Sequence, residues 1–147
     1  MLSNTCKYAL RALIYLAKNA GQDRKIGIKK ISDDLEIPSP FLGKILQSLA
    51  KQRILASTKG PHGGFSLGTE PELISLHEII HILDGDDFFN TCLIGMGDCH
   101  HDGSDSPRCP VHDRFVEIRG EMTQLFQDTT LKTILDDVEK YEGIIRF

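Results

Sequence analysis

The sequence predicts a mostly helical protein with a small β wing: a winged helix-turn-helix domain followed by a long C-terminal helix suited to dimerisation. Three observations predict it. Apolar residues recur at three- and four-residue steps through three segments of the first half. A Gly/Pro-rich tip between two short β-prone runs follows the third segment. In the last third, Val111, Phe115, Ile118, Met122 and Leu125 recur at steps of 4, 3, 4 and 3. A chain of 147 residues suits one compact unit of this kind with an appendage. The expected division is a DNA-binding domain over 1–84, a cysteine-rich loop over 85–112, and a dimerisation helix with a final helix over 113–147.

The first helix is expected in TCKYALRALIYLAKNAG, where Cys6, Ala9, Leu10, Leu13, Leu16, Ala17 and Ala20 share a face and Gly21 is a natural stop. Cys6 suits a small core residue there. IKKISDDLEI predicts a short second helix with Ile28, Ile31 and Leu35 inward, ending before Pro38. SPFLGKILQSLAKQRIL predicts the third, with Ser39 as N-cap, Pro40 at the first helical position, and Phe41, Leu42, Ile45, Leu46 and Leu49 as the buried stripe. Its other face carries Ser39, Gly43, Lys44, Gln47, Ser48 and Lys51: small, polar or basic groups able to approach DNA. A short helix, a turn and a second helix with that face match a helix-turn-helix, whose second helix enters the major groove.

ILASTKGPHGGFSLG then predicts the wing, with strands over Ile54–Thr58 and Gly64–Leu67. Its tip offers Lys59, Gly60, His62 and Gly63; glycine lets backbone approach a phosphate and lysine supplies charge, with Arg53 at the base. Neither GxGxxG nor GxxxxGK[ST] is present, so a nucleotide cradle is excluded. Charge supports the assignment. Residues 1–70 hold 11 Lys+Arg against 5 Asp+Glu, a net of +6, while residues 71–147 hold 6 against 16, a net of −10. A basic half can face double-stranded DNA while the acidic half faces away.

SLHEIIHIL starts another helix with Ser75 and Glu78 in capping-box spacing and buries Ile79, Ile82 and Leu83. The Val111–Leu125 stripe has the 3–4 pattern of a two-stranded seam, so the helix bearing it is expected to pack on the same helix of a second copy, giving a homodimer. Thr130 is expected to cap a last helix with Leu131, Ile134, Leu135 and Val138, packed on that dimer core.

Between these helices lies CLIGMGDCHHDGSDSPRCPVH, residues 92–112, with three cysteines, three histidines and three aspartates. No apolar run approaches a membrane span, and Lys7 and Arg11 interrupt the N-terminal apolar stretch, so the chain is placed in the cytoplasm, off the membrane. Thiols stay reduced there, and an odd three in one loop suits a metal site completed by another residue type. The spacing is Cys-x(6)-Cys-x(9)-Cys over Cys92, Cys99 and Cys109, with His112 following the last at Cys-x(2)-His. Thiolates bind iron in clusters or zinc, and imidazole can replace one thiolate. Three cysteines and a histidine also make a tetrahedral zinc site, but zinc knuckles use Cys-x(2–4)-Cys pairs that are absent here. No second cofactor motif and no catalytic pair is present, which excludes an enzyme and leaves electron transfer as a weaker reading.

YALRAL in the first helix, SPFLGKILQSLAKQRIL, the KGPHGGFSL wing, ISLHEIIHILDG and the three later cysteines together resemble the bacterial Rrf-type transcriptional regulators, the IscR- and NsrR-like proteins, over nearly the whole chain. The resemblance implies a homodimeric repressor or activator whose operator affinity depends on an iron–sulfur cluster, 2Fe–2S before 4Fe–4S. It implies Cys92, Cys99, Cys109 and His112 as ligands. The loop is longer than in IscR-like chains, so Asp98, His100, His101 and Asp102 compete with His112 for the fourth place. A zinc-stabilised or cluster-free repressor of the same fold is the alternative. Where some relatives supply a ligand from the partner's first helix, this chain has Tyr8 and Ala12, which suit none. Base readout is expected from Ser39, Lys44 and Gln47, with Ser48, Lys51 and the wing residues beside them.

Overall fold

Ser3 opens the first helix: its hydroxyl accepts the Cys6 N–H at 3.1 Å, capping α1 (Asn4–Asn19). The computed structural model describes residues 2–20, 24–95, 97 and 109–140. After α1 come α2 (Ile28–Leu35), α3 (Ser39–Lys51), strands β1 (Leu55–Thr58) and β2 (Gly64–Leu67), and a 3-10 turn at Pro71–Leu73. Then follow α4 (Leu76–Asp84), α5 (Asp87–Asn90), α6 (His112–Asp128) and α7 (Leu131–Lys140). The fold is the expected one, mostly helical with a two-stranded antiparallel wing.

One apolar core unites the first half. Ala9, Ala12, Leu13 and Leu16 of α1 meet Ile31 and Leu35 of α2, Leu42, Ile45, Leu46 and Leu49 of α3, and Ile79 of α4. At about 1.5–3 kcal/mol for each large side chain taken from water, this cluster is the main driving force for the domain. Polar groups then fix its turns. Between α2 and α3, Glu36 takes a left-handed conformation (φ 55°), the Ile37 N–H returns to the Ser32 carbonyl at 3.1 Å, and the Ser32 hydroxyl donates to the Ile37 carbonyl at 2.5 Å. Arg11 of α1 donates to the Leu35 carbonyl at 3.0 Å, so the arginine inside YALRAL closes the end of α2.

At the end of α3, Arg53 is left-handed (φ 64°) and the Ile54 N–H reaches the Leu49 carbonyl at 3.1 Å, turning the chain into the wing. The strands pair with Leu55 opposite Leu67 and Thr58 opposite Gly64. An addition not expected from sequence is Ile26, which pairs with Phe65 through two 2.9 Å hydrogen bonds and roots the wing beside α2.

A second, smaller cluster of Cys6, Ile80 and Phe89 has Leu2, Leu83, Phe88 and Phe126 around it, joining α1, α4, α5 and α6. There Asp84 accepts from the Ser3 hydroxyl at 2.6 Å and the Cys6 thiol at 3.2 Å. Burial, with the Asp84 carboxylate second, pushes the Cys6 thiol up to about 12. Cys6 is therefore a core residue with an inert thiol, as its spacing suggested.

Four details differ from expectation. Helix α3 begins one residue early, with Pro38 rather than Ser39 as its N-cap, because the Pro38 carbonyl already accepts the Phe41 and Leu42 N–H groups. Phe41, expected in the buried stripe, is 37% exposed and stands edge-on to Tyr8. Gly43, expected on the outward face, is buried, with Ile28 of α2 3.1 Å from where its Cβ would stand. Helix α7 packs on the first half rather than on a dimer core. Its Leu131 lies in the main cluster, and backbone bonds Leu76 to Thr129 (2.9 Å) and Leu131 to Ile74 (2.8 Å) hold it there.

Candidate DNA-reading face and cysteine loop

Helix α3 lays its apolar side on the core and so presents Lys44, Gln47 and Lys51 to solvent, with Ser39 and Ser48 half-buried at the margin. In the wing Lys59, Gly60 and His62 are exposed and Gly63 is partly covered. The structure brings these two groups together. A groove of about 480 Å3 runs between them, lined by Gln47, Ala50 and Lys51 on the helix side and Ser57, Thr58, Lys59 and Phe65 on the wing side. Two glycines are needed for the tip's shape: Gly60 has φ 111°, and a Cβ on Gly63 would stand 2.1 Å from the Thr58 carbonyl oxygen. Sequence reading did not single out Lys25, whose ammonium donates to the Thr58 hydroxyl and adds charge at the wing root. The excess of positive charge in residues 1–70 was the only sign of it.

The cysteine loop hangs between α5 and α6. The Cys92 N–H donates to the Gly97 carbonyl at 2.9 Å, closing a tight turn, and inside it the Gly95 N–H donates to the Cys92 sulfur at 3.2 Å. A Cβ on Gly95 would itself lie 3.2 Å from that sulfur, closer than ordinary contact, so the small residue keeps this side of the sulfur uncrowded. At the far end of the loop the Cys109 carbonyl accepts the His112 N–H at 2.9 Å. His112 is the first residue of α6 and is 7% exposed. Cys99, with Asp98, His100, His101 and Asp102, lies outside the described residues. Among the described residues no three candidate ligands gather at one point.

Cysteine binds metal through its sulfur and histidine through its ring nitrogen, and both are soft or borderline donors. Two cysteines and a histidine at the roots of one loop therefore fit a soft metal or an iron–sulfur cluster in their chemistry.

Sequence reading missed Arg119. It is 9% exposed, on α6 two turns beyond His112, and donates to the Thr91 carbonyl at 2.6 Å and the Asn90 carbonyl at 3.4 Å. Its guanidinium lies 4.6 Å from the centre of the Phe115 ring. The signal was present as spacing: His112, Phe115, Arg119 and Phe126 share one helical face, distinct from that of Ile118 and Leu125.

The sequence profile of the Rrf2 family, described as iron-dependent transcriptional regulators, matches residues 2–137. The chain belongs to the Rrf2 family. It is accordingly a transcriptional regulator and not an enzyme. It is 36% identical over 141 residues to an HTH-type transcriptional regulator of Aquifex aeolicus, covering 96% of this chain and 95% of that one. To the regulator IscR of Vibrio vulnificus it is 27% identical over 141 residues, covering 96% and 80%. Among solved structures, CymR, described as the global cysteine regulator of B. subtilis, superposes with a TM-score of 0.73 at 21% identity, covering 93% of this chain and 97% of that one. This Rrf2-family regulator shares the fold of CymR, and DNA binding follows from the family. No helix among the described residues is long and apolar enough to cross a membrane.

Proposed function

We propose that this regulator binds operator DNA as a homodimer and that its affinity is set by an iron–sulfur cluster held by Cys92, Cys99, Cys109 and His112. The observation that carries the reading is the Cys92 turn, in which the Gly95 N–H points at the sulfur 3.2 Å away. The family description as iron-dependent supports it. When bound, a cluster supplies a redox-sensitive, nitric-oxide-sensitive group. The chain's own residues do the rest. His112 starts α6 and Cys109 is bonded to it through the backbone, so ligation at these two residues orders the first turn of the helix on which the dimer is built.

DNA is read by Ser39, Lys44, Gln47, Ser48 and Lys51 of α3 and by Lys59, Gly60, His62 and Gly63 of the wing. Ser39, Lys44 and Gln47 face base edges in the major groove, and Lys51 and Lys59, on opposite walls of the groove between helix and wing, hold backbone phosphate. Gly43 makes no base contact, because it faces α2. Half-sites must match the spacing of two recognition helices, so a small change at α6 shifts operator affinity.

Anaerobic purification followed by absorption and Mössbauer spectra tests the metal: cluster bands and iron with sulfide are expected, and a colourless protein with stoichiometric zinc would end the proposal. Gel shifts of loaded and metal-free protein test the switch, and equal affinity for every DNA would remove it.

A further inference from the structure

Among the described residues, one side chain of α6 reaches back to the residues that precede the segment 92–112. At one end His112 is itself the first residue of α6, bonded through its N–H to Cys109. At the other end, Arg119 of the same helix reaches across to the carbonyls of Asn90 and Thr91, the two residues directly before Cys92. The last carbonyls of the short helix α5 have no partners within it, and the Arg119 fork supplies donors for them. Burial restricts the fork further. At 9% exposure, packed over the Phe115 ring, the guanidinium has little freedom to reach elsewhere, and among the described residues its hydrogen bonds go to these two carbonyls.

We propose that Arg119 is a positioning residue for the cysteine loop: by holding Asn90 and Thr91 against α6 it fixes Cys92 in register with Cys109 and His112, so that occupancy of the loop is felt by the dimer helix. This rests on the reading of the loop as a metal site. Among the described residues the hydrogen bonds of Arg119 go to backbone carbonyls and to no candidate ligand side chain. A lysine keeps the charge but cannot present two donors in one plane, so the proposal requires the guanidinium rather than positive charge alone.

The test uses the full chain with Arg119→Met, which keeps an apolar stem, and Arg119→Lys. In metal-free protein, alkylation of each cysteine by iodoacetamide is followed by peptide mass spectrometry. In protein loaded anaerobically with ferrous iron and sulfide, loss of the chromophore to a chelator is timed. Arg119→Met is expected to speed Cys92 alkylation on the order of tenfold, the scale of losing a charge-assisted hydrogen bond, and to shorten the chromophore lifetime by a similar factor. Cys109 should change less than about twofold, and Cys6 should stay protected, because neither is held by Arg119. Arg119→Lys should lie closer to Arg119→Met than to the wild type. Unchanged Cys92 reactivity, a parallel rise at all cysteines, or full rescue by lysine would each overturn the proposal. A wild-type chain that takes up no iron and sulfide would sink the metal-site reading instead, and the alkylation arm would still decide the role of Arg119.

Discussion

Helices α3 and α6 are both amphipathic by pattern, yet they end in opposite situations. The apolar residues of α3 are covered by α1, α2 and β1, with Leu42, Leu46 and Leu49 fully buried. Along α6 the buried residues are His112 and Arg119, while Ile118 and Leu125 stand 60% exposed. The comparison shows that α3 is closed within the main core, to which α4 and α7 also contribute, whereas α6 keeps an exposed apolar face. An apolar stripe exposed beside a packed domain, repeating at steps of 4 and 3, suits the partner copy proposed above. The two faces of α6 differ accordingly, since one bonds Asn90 and Thr91 through Arg119 and the other carries the exposed Ile118 and Leu125 that the proposed dimer would cover.

The sharpest break of that contrast is the double substitution Ile118→Asp with Leu125→Asp. It should leave the first half folded, convert the dimer to monomer in sedimentation velocity, and lower operator affinity roughly 10²- to 10⁴-fold through loss of bivalent binding. A variant that still sediments as a dimer would refute the role given to this face. The converse change, Leu46→Ala in α3, should cost about 2–5 kcal/mol of stability in thermal or denaturant unfolding while leaving the folded protein dimeric.

Cys6 tests the region where the halves meet. Its thiol is held up at about 12 against 9.0 for an ordinary thiol. Between those values the unfolded chain has released the proton that the folded chain keeps, so stability falls as pH rises through this window and is untouched below it. The slope due to this group is at most about 1.4 kcal/mol per pH unit. Cys6→Ala should remove that part of the alkaline loss in urea titrations from pH 8 to 11, and identical pH curves for variant and wild type would contradict it. The smallest effect belongs to the wing: Lys59→Ala should weaken binding to all sequences alike and reduce the salt slope by about one counterion. A loss confined to one operator would make Lys59 a reader of bases.

Much of the fold was legible because local chemistry and tertiary packing agree. The α1 stripe, the Ser75 cap, whose hydroxyl accepts the Glu78 N–H at 3.1 Å, and the Gly60 and Gly63 wing tip are local signals, and each appears as expected. Phe41 and Gly43 were misplaced because periodicity assigns a face without knowing the neighbour's distance. The Ile28 side chain of α2 comes close enough to cover a glycine, while Phe41 lies at the edge where Tyr8 meets only one side of its ring. In the cysteine loop the residue types were legible from sequence, but their support was not: the N–H on the Cys92 sulfur depends on the local turn, and the reach of Arg119 spans 28 residues of sequence.

By itself, then, the sequence determined the helices, the wing, the charge division between the halves and the crowd of soft ligands, since these follow from the order of side chains and their local periods. Only the tertiary structure decided that α7 turns back to bury Leu131 in the first half and that α6 is left with an uncovered face. Only it showed that one buried guanidinium ties the start of the cysteine loop to that helix. Such outcomes depend on which surfaces meet after all the elements have formed, and a stripe of residues carries no record of which neighbour will cover it.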